Sequence, residues 1–533
     1  MAADKRAATK AAKAAKAAKA SPKAGASRAG AVAEAGQLAE LRARLIEISD
    51  FQAASAVLGW DQAVYMPPLG AEARGRQKAR LAALAHEKAT DANLGWLLDR
   101  LEKHGAALPP DSDDAAMIRV ARRDYDRARR VPADFVARES AHGSASYQAW
   151  IAARPANDFA TMVPYLETAL ELSREYAAFF PGYSHVMDPL IGPDEGVTTA
   201  EVATLFEALR AELVPLVRAI TAEQVVDDRC LRLHFPEAGQ LEFARTVAAD
   251  FGYDLKRGRI DKTAHPFCTR FSRDDVRVTT RVSERDLSDA LFSVLHEVGH
   301  ALYELGVGPG IDGTPLGHGA SAGVHESQSR LWENIVARSL PFWQHYFPKL
   351  QQVFPEQLKG VRLDTFHRAI NKVERSLIRT DSDEVTYNLH VMIRFDLEKR
   401  MLEGRLAVRD LAGAWRAAYA ANLGLEPPDD RDGVLQDVHW YGGGIGGTFQ
   451  SYTIGNILAA QLYDKAVRDE PEIATGIGQG QFKPLRAWLE TNVHRHGRKF
   501  TAPELIERAT GGPLSIEPYM GYLEGKFGDL YGV

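Results

Sequence analysis

The sequence has 533 residues, of which 45% are hydrophobic and 26% are charged, and its formal net charge is −6. This composition is typical of globular proteins and excludes a wholly disordered or fibrous chain, and no run of about 18 apolar residues predicts a membrane span. The only two cysteines, Cys230 and Cys268, exclude a disulfide framework and suit a reducing compartment. We therefore expect a cytoplasmic protein in which any metal is bound by His, Asp or Glu.

The first 35 residues differ in charge from the rest of the chain. They carry eight Lys or Arg against Asp4 and Glu34, a net of +6, which leaves about −12 on the remaining residues. Their Lys-Ala-Ala repeat places the lysines on no single helical face and has almost no large apolar residue, which predicts a disordered basic tail over residues 1–35. Such a tail is either a nucleic-acid or anionic-surface tether or a solvated extension. It contains no apolar segment of the signal-peptide type.

From Gly36 onward, apolar residues recur three and four apart between short turn clusters, which predicts a mostly helical body. Residues 201–222 are a clear example of a helix with one apolar stripe. Alternating patterns predict strands at residues 231–235 and 276–282. No internal repeat or linker divides this part. We predict a mainly α fold, a large helical body with a small β-sheet, in one domain over residues 36–533.

The motif His-Glu-Val-Gly-His at residues 296–300 carries the clearest chemical signal. Its flanks predict an amphipathic helix that begins near Asp286 or Ser288 and ends at Gly306. Histidines four apart lie on one helical face and can bind one cation, and the adjacent carboxylate can orient a water molecule. The sequence therefore predicts a site for zinc or a similar ion, with His296 and His300 as ligands.

A catalytic site of this type needs a third protein ligand. A glycine-rich loop at residues 316–323 leads into a second predicted helix, and Glu326 in its first turn can face the histidine pair. Glu304 lies too far along the first helix to complete a compact site with His296. His325 and His318 remain alternatives, although His325 points about a quarter turn or more away from Glu326 and His318 lies in the loop.

Together with the sequence His-Glu-Ser-Gln-Ser at residues 325–329, this motif resembles the thermostable carboxypeptidase Taq family of metallocarboxypeptidases. Further strings agree with that family in the expected order, so the resemblance extends from about residue 40 to the end of the chain. They lie at residues 58–62 with 66–68, 265–267, 275–280, 378–387, 433–440 and 452–456. The family usually has Ala where Ser382 stands, and the basic tail lies outside its pattern.

The resemblance implies a helical fold with a long groove, and removal of single amino acids of many kinds from the C-termini of peptides. It also implies Zn²⁺ or Co²⁺ as the cofactor, a homodimer, and substrates with a free C-terminus. By motif, His296, His300 and Glu326 would be the metal ligands and Glu297 the general base. Two alternatives are an oligopeptidase or endopeptidase on the same metal site, and a non-catalytic binding protein with a structural metal.

An exopeptidase needs a cation for the terminal carboxylate of its substrate, and the planar fork of Arg suits bidentate capture. We predict Arg379 for this role, with Arg277 as second choice. The alternative for Arg379 is a buried ion pair with a nearby acid, namely Asp381, Asp383 or Glu384.

Hydrogen-bond donors for the developing oxyanion are the last group of predicted site residues. Tyr387 and His439 are the predicted donors, unless each of them simply satisfies hydrogen bonds in the core. His265, before a Pro-Phe turn, is predicted to donate to the substrate backbone or to hold that turn.

Overall fold

Helices make up about 70% of the structure, a computed structural model that describes residues 21–222 and 225–533. Before the sheet lie α1 (Ser21–Val64), α2 (Ala71–Ala89), α3 (Ala92–Ala107), α4 (Asp113–Arg130), α5 (Ala133–Ala156), α6 (Phe159–Ala178), α7 (Asp188–Glu195), α8 (Thr199–Ala222) and α9 (Glu237–Phe251). Side chains of Asp91, Ser112 and Asp158 accept hydrogen bonds from the first turns of α3, α4 and α6, which explains where these helices begin. The mainly α prediction is confirmed.

A second series of helices follows the sheet. It consists of α10 (Leu287–Gly306), α11 (Ala322–Arg330), α12 (Leu340–Val353), α13 (Pro355–Leu358), α14 (Leu363–Ile370), α15 (Tyr387–Leu402), α16 (Leu411–Leu423), α17 (Phe449–Asp469), α18 (Glu472–Ile477), α19 (Lys483–Asn492), α20 (Ala502–Thr510) and α21 (Glu517–Tyr531). A π-helix, Leu331–Val336, directly continues α11. Single 3₁₀ turns include Arg379–Asp381 and Val438–Trp440. Among the described helices, none is both long and apolar enough to cross a membrane.

The sheet has three short strands, β1 (Ile260–Lys262), β2 (Cys268–Ser272) and β3 (Asp275–Thr280), in the order β1-β3-β2. The central strand pairs in parallel with β1 and antiparallel with β2, so that Val278 lies opposite both Ile260 and Cys268. Val276 and Val278 are fully buried, and β3 packs against α10. The predicted strand over 276–282 is thus confirmed as β3.

Two predictions from local pattern differ from the structure. Residues 231–235 do not form a strand: a 3₁₀ turn ends at Leu231, Leu233 is 42% exposed, and the Phe235 N–H binds the carbonyl of Glu284. Of the three apolar residues in this alternation, only Leu231 and Phe235 are buried. Residues 21–35, predicted as part of the disordered tail, form the start of α1, because alanine-rich sequence favours the helix that continues to Val64. Residues 1–20 of the predicted tail lie outside the described residues.

The core consists of two apolar clusters that meet around α10. The larger cluster includes most buried side chains of the helices after the sheet, together with α6, α8 and α9. The smaller cluster joins α1, α3 and α4, and it packs against Val307, Ile311 and Leu316 just after α10. The larger cluster therefore buries α10 itself, and the smaller cluster holds the segment that follows it.

Candidate metal centre and active site

Helix α10 carries the His-Glu-x-x-His motif. Its N-cap is Asp286, whose side chain accepts a hydrogen bond from the Ser288 N–H, and the helix ends at Gly306, as the sequence predicts. The rings of His296 and His300 lie one turn apart, with centroids separated by 4.9 Å. The apolar stripe of the same helix is buried in the core, so the two imidazoles are held on the opposite face.

Glu326 in the first turns of α11 faces these imidazoles. Its Oε2 lies 3.7 Å from Nε2 of His296 and 3.5 Å from Nε2 of His300. Close packing makes this approach possible, because a Cβ atom at Gly299 would lie 2.6 Å from the carbonyl oxygen of Gln328, and one at Gly455 would lie 2.6 Å from Cβ of Glu326. Glycine at these two positions brings α10 and α17 against α11.

The other nitrogen of each imidazole has a partner outside this triangle. Nδ1 of His296 lies 2.9 Å from Oε2 of Glu333, and Nδ1 of His300 lies 3.0 Å from the carbonyl oxygen of His325. Both contacts require the proton on Nδ1, which leaves the Nε2 lone pairs directed at Glu326. Two imidazole nitrogens and one carboxylate oxygen within 4.8 Å of one another are a donor set that fits a divalent cation.

Glu333 reaches His296 from the π-helix. That helix begins immediately after Arg330, and its wider turn changes the direction of the side chains relative to α11. The Glu333 carboxylate also accepts hydrogen bonds from Arg330 and Arg338, both at 3.3 Å. Although burial opposes it, the bond with His296 and the charge of Arg330 lower the pKa of Glu333 to about 2. Glu333 is therefore a charged, fixed acceptor behind His296.

Electrostatics favour the cation-binding protonation state for Glu326 and His300 but not for His296, whose pKa is raised by the Glu326 charge and the bond with Glu333 although burial opposes it. Burial alone would raise the pKa of the Glu326 carboxyl, but the charges of Arg330 and His296 hold it well below its usual range. Burial, with the charge of His325, lowers the pKa of His300 to about 4. Glu326 is accordingly ionised and His300 neutral near pH 7.

Glu297 lies next to His296 on α10 and is only 7% exposed. Burial raises the pKa of its carboxyl to about 7. Among the described side-chain hydrogen bonds, none ties this carboxylate to another residue, in contrast to Glu326 and Glu333. It is the one acid beside the triangle that can exchange a proton without breaking a structural contact.

The alternatives to Glu326 as third ligand point elsewhere. Nε2 of His325 lies 2.8 Å from Glu304, while its Nδ1 lies 2.6 Å from Nδ1 of His300, so His325 is placed behind His300. Glu304 is itself paired with Arg270 at 3.3 Å. Nδ1 of His318 lies 3.4 Å from the same Arg270.

Arg379 is buried in an ion pair rather than exposed in a groove. It is 6% exposed; its Nε lies 2.5 Å from Asp437, and its Nη1 donates to the Tyr387 hydroxyl at 3.1 Å. Arg394 contacts the same carboxylate at 2.9 Å. The predicted alternative, a buried ion pair, describes this environment correctly but names the wrong partner. The acid is Asp437, 58 residues later in the chain, and not Asp381, Asp383 or Glu384.

His439 lies at the other side of Asp437. Its Nδ1 is 2.5 Å from Oδ1 of Asp437, and its Nε2 is 3.3 Å from the hydroxyl of Tyr452. Burial would raise the pKa of Asp437, but Arg394, His439 and Arg379 together hold it well below the usual range. The buried Asp437 carboxylate thus orients the His439 imidazole. Nε2 of His439 and the hydroxyl of Tyr452 are the polar atoms on the opposite side of that ring.

Tyr387 connects this cluster to the metal-binding triangle. Its ring lies under the guanidinium of Arg330, 4.7 Å from the ring centroid, and edge-on to Tyr452 at 6.2 Å. Arg330 in turn donates to Glu326 at 2.7 Å. The unusual Ser382 donates its hydroxyl to the carbonyl of Arg379 at 2.6 Å, which satisfies it within its own turn.

The two remaining predicted residues lie in different places. Burial lowers the pKa of His265, and the charges of Arg281, His439 and Arg379 lower it further. His265 is therefore close enough to this cluster to feel its charges. Arg277 instead pairs with Asp275 through two contacts of 2.8 Å and lies over Trp60 at 4.3 Å. No described hydrogen bond or ion pair connects Arg277 to the metal-binding triangle.

The sequence places Glu333 on the same side of its helix as Glu326, but its contact with His296, and the contacts of Asp437 and Tyr452 with His439, were not predicted. Each had a usable signal. Glu333 lies seven residues, or two helical turns, after Glu326, and Asp437 lies two before His439. Tyr452 lies three before Gly455, so it shares the helical face that packs on Glu326.

Two imidazoles and a carboxylate converging beside a buried acid form the site of a metal-dependent hydrolase. The sequence model of one family, carboxypeptidase Taq (M32) metallopeptidase, matches residues 40–527. The chain is 39% identical over 497 residues to thermostable carboxypeptidase 1 of Thermus thermophilus, covering 91% of this chain and 97% of that protein. It is 36% identical over 489 residues to carboxypeptidase 1 of Bacillus subtilis, covering 91% and 97%.

A solved structure agrees with these relatives. The crystal structure of the M32 carboxypeptidase from Deinococcus radiodurans R1 superposes with a TM-score of 0.91 at 52% identity, covering 93% of this chain and all of that one. The chain therefore belongs to the carboxypeptidase Taq (M32) family of metallopeptidases, which confirms the predicted resemblance. It is a metallocarboxypeptidase, a hydrolase that acts on peptides.

Proposed function

We propose that this protein is a zinc-dependent carboxypeptidase that removes single residues, with broad specificity, from peptides with a free C-terminus. The observation that carries the proposal is the convergence of His296 Nε2, His300 Nε2 and Glu326 Oε2 within 4.8 Å. Such a set leaves a fourth position open for substrate or water. A divalent ion bound there supplies Lewis-acid chemistry, polarising the scissile carbonyl and making water more acidic.

Glu297 is the proposed general base. It lies one residue from His296 on the face that the two imidazoles share, and it is not engaged in a described side-chain hydrogen bond. Its carboxylate takes the proton of the attacking water and returns it to the leaving amine. Glu333, the carbonyl of His325 and Arg330 act on the ligands instead, holding the two rings and Glu326 in place.

For the developing oxyanion we propose His439 and Tyr387 as donors. The contact between His439 Nδ1 and Asp437 supports an imidazole held in one orientation, and because Nδ1 carries a proton there, Nε2 donates to the oxyanion only when both ring nitrogens are protonated. The Tyr387 hydroxyl accepts from Arg379, which leaves its own proton available for donation. Tyr452 contacts both His439 and Tyr387 and belongs to the same group. Preorganised donors of this kind stabilise charge that appears only in the transition state.

For the terminal carboxylate of the substrate we propose Arg379, with His265 as a neighbouring contact and Arg277 as the second choice. Arg379 lies between Tyr387 and His439, which supports this assignment. Because it is 6% exposed, a carboxylate reaches it only by displacing one of its weaker contacts, such as that to His439 at 3.4 Å. The ion pair with Asp437 stays in place.

The metal and the assembly complete the proposal. A set of two histidines and one glutamate suits Zn²⁺, and it also suits Co²⁺. Metal analysis of the purified protein, followed by removal and readdition of each ion, tests this assignment. The homodimer rests on the family resemblance and the cytoplasmic location on the low cysteine content. Light scattering measures the oligomeric state directly.

One pair of substrates tests the proposed reaction. An unblocked peptide and its C-terminally amidated twin are each incubated with the metal-loaded protein, and free amino acids and fragments are measured by mass spectrometry. A carboxypeptidase releases single residues from the free peptide and leaves the amide intact. Internal fragments from both peptides would instead identify an endopeptidase or oligopeptidase on the same site. The Glu297→Gln variant serves as the control for contaminating peptidases.

A further inference from the structure

A cavity of about 570 Å³ lies behind helix α11, on the side of that helix away from the metal-binding triangle. Its volume is in the range of pockets that hold small ligands. The inner walls are apolar and come from α8, α11, α17 and α20. Their apolar side chains include Leu205, Val324, Ile454, Ala502 and Ile506.

Two residues of the cavity wall belong to the helices that carry or contact Glu326, the third proposed metal ligand. Val324 precedes Glu326 by two residues on α11. Ile454 precedes Gly455, the position at which α17 touches Glu326. Nothing in the proposed reaction uses this space.

The charged residues of the cavity all have the same sign. Glu195, Glu201 and Glu507 line it, and among the described lining residues there is no Lys, Arg or His. Glu201 and Glu507 are exposed at the rim, whereas Glu195 is 2% exposed and forms part of the wall. An apolar space with only carboxylates around it complements a ligand with an apolar body and a positive charge.

Among the three carboxylates, the buried Glu195 is the one best placed to bind a positively charged group. It accepts hydrogen bonds from the Gly323 N–H at 2.7 Å and from the Ser321 hydroxyl at 3.0 Å, at the N-terminus of α11. These donors are neutral, and no described ion pair or side-chain hydrogen bond joins Glu195 to a Lys, Arg or His. Burial, together with the charge of Asp194, raises its pKa to about 7. A buried carboxylate without a cationic partner gains free energy when a cation is placed beside it.

We propose that this cavity is a second binding site, which takes a primary aliphatic ammonium ion with its chain against α8, α17 and α20 and its charged group toward Glu195. In a zwitterionic amino acid the carboxylate is on the same carbon as the ammonium group and would lie beside the Glu195 carboxylate, so products of the peptidase reaction are poor ligands. The site is separate from the proposed metal centre, and its occupancy does not depend on the peptidase assignment.

Isothermal titration calorimetry of the metal-loaded protein tests the proposal with n-hexylammonium as the probe, in an amine-free buffer whose pH lies above the pKa of Glu195 and below that of the amine. Hexan-1-ol has the same chain without the charge, and hexanoate has the opposite charge. We expect saturable binding of one hexylammonium per chain, at least tenfold weaker binding of hexanol and no binding of hexanoate. Absence of saturable hexylammonium binding, or equal binding of hexanol, would overturn the proposal.

Two tryptophan variants on α8 locate the bound probe. Leu205→Trp places an indole in the cavity and occupies part of it, whereas Leu216→Trp, three turns further along the same helix, changes an equally half-buried leucine that does not line it. We expect the first variant to weaken hexylammonium binding at least tenfold and the second to bind like the unaltered protein. Both leave the metal-binding triangle intact, so equal binding by both variants would place the amine outside the cavity and refute the cavity site.

A charge variant tests the role of Glu195. Glu195→Gln should weaken hexylammonium binding at least tenfold while leaving hexanol binding unchanged. Because Glu195 also caps α11, circular dichroism first establishes that this variant folds. If it does not fold, the comparison of Leu205→Trp with Leu216→Trp decides the question alone. A folded variant that binds hexylammonium as tightly as the unaltered protein contradicts the proposed contact.

Discussion

The carboxylate of Glu333 lies 2.9 Å from Nδ1 of His296, so a residue of the π-helix determines which nitrogen of a proposed metal ligand is available. We predict that Glu333→Gln lowers metal affinity about 10- to 100-fold, because the amide holds the ring and its tautomer less firmly than a carboxylate. Chelator competition, which needs no peptide turnover, measures this loss.

The matched control for Glu333 is a second histidine–glutamate contact of the same length. Glu403 lies 2.9 Å from Nε2 of His185, and its pKa is also lowered to about 2. Glu403→Gln should leave metal affinity unchanged. Equal losses in the two variants would show that Glu333 acts through general stability and not through His296.

Glu326 provides the third proposed ligand atom, and its removal tests the composition of the site. We predict that Glu326→Gln abolishes stable metal binding, because two imidazoles and a neutral amide form a weak site. Elemental analysis after dialysis measures the metal content. One equivalent of zinc retained by the folded variant would transfer the ligand role to His325 or His318.

Glu297 should behave in the opposite way. We predict that Glu297→Gln keeps its metal and loses turnover by about 10²- to 10⁴-fold, because the proposed ligands remain while proton transfer is lost. Peptide turnover and metal content are measured on the same preparation. A variant purified without metal would point to a ligand role for Glu297.

Much of this site is encoded locally, which is why the sequence predicts it. Helix α10 has its own N-cap, its own apolar stripe and a glycine end, so its bounds and the shared face of His296 and His300 follow from about twenty residues. Glu326 follows from the glycine-rich loop that must lead into a helix start. Neither prediction needs contacts between distant parts of the chain.

Contacts between distant residues were not predictable in the same way. The pairing of Arg379 with Asp437 joins a 3₁₀ turn to a loop 58 residues later, and local pattern pointed to nearer acids. The π-helix that aims Glu333 depends on how α11 packs against α10 and α17. The strand predicted at 231–235 is absent because alternation alone supplies no neighbouring strand.

Arg379 is predicted to control the preference for a free C-terminus. Charge-assisted hydrogen bonds contribute roughly 1.5–3 kcal/mol, or about 10- to 150-fold in kcat/KM, so Arg379→Ala should lose most of the preference for a free peptide over its amide. Arg379→Lys should lose part of it, because the charge remains while the bidentate geometry is lost. The ratio of kcat/KM for the two peptides is the measured quantity.

The buried partner of the same acid is the control for Arg379. Arg394 contacts Asp437 at 2.9 Å and is fully buried, so Arg394→Lys weakens the ion pair without removing a cation that substrate can reach. It should lower stability and keep the peptide preference. Loss of the preference in both variants would show that Arg379 acts only by holding Asp437 and His439, and the carboxylate site would then move to Arg277 or another cation.

Glu398 should make the folded state less stable as pH rises toward neutrality. Burial raises its pKa from 4.5 to about 7, and its Oε1 accepts a hydrogen bond from the Trp440 indole at 2.7 Å. Below pH 4.5 the carboxyl is protonated in both the folded and the unfolded chain. Between pH 4.5 and about 7 the unfolded chain releases the proton first, so the free energy of unfolding falls, by at most about 3 kcal/mol for this group.

Glu398→Gln removes this titration while keeping the shape of the side chain. We predict that, between pH 4.5 and 7, the free energy of unfolding of the variant rises relative to that of the unaltered protein. Only the unaltered protein loses the contribution of Glu398 in this range, whereas the other groups titrate equally in both. Urea unfolding at several pH values, with metal content held constant, measures the shift. Glu517→Gln, at the exposed start of α21, is the control and should show none. A difference that is constant across this pH range would mean that Glu398 is already ionised when folded, held by the Trp440 donor despite its burial.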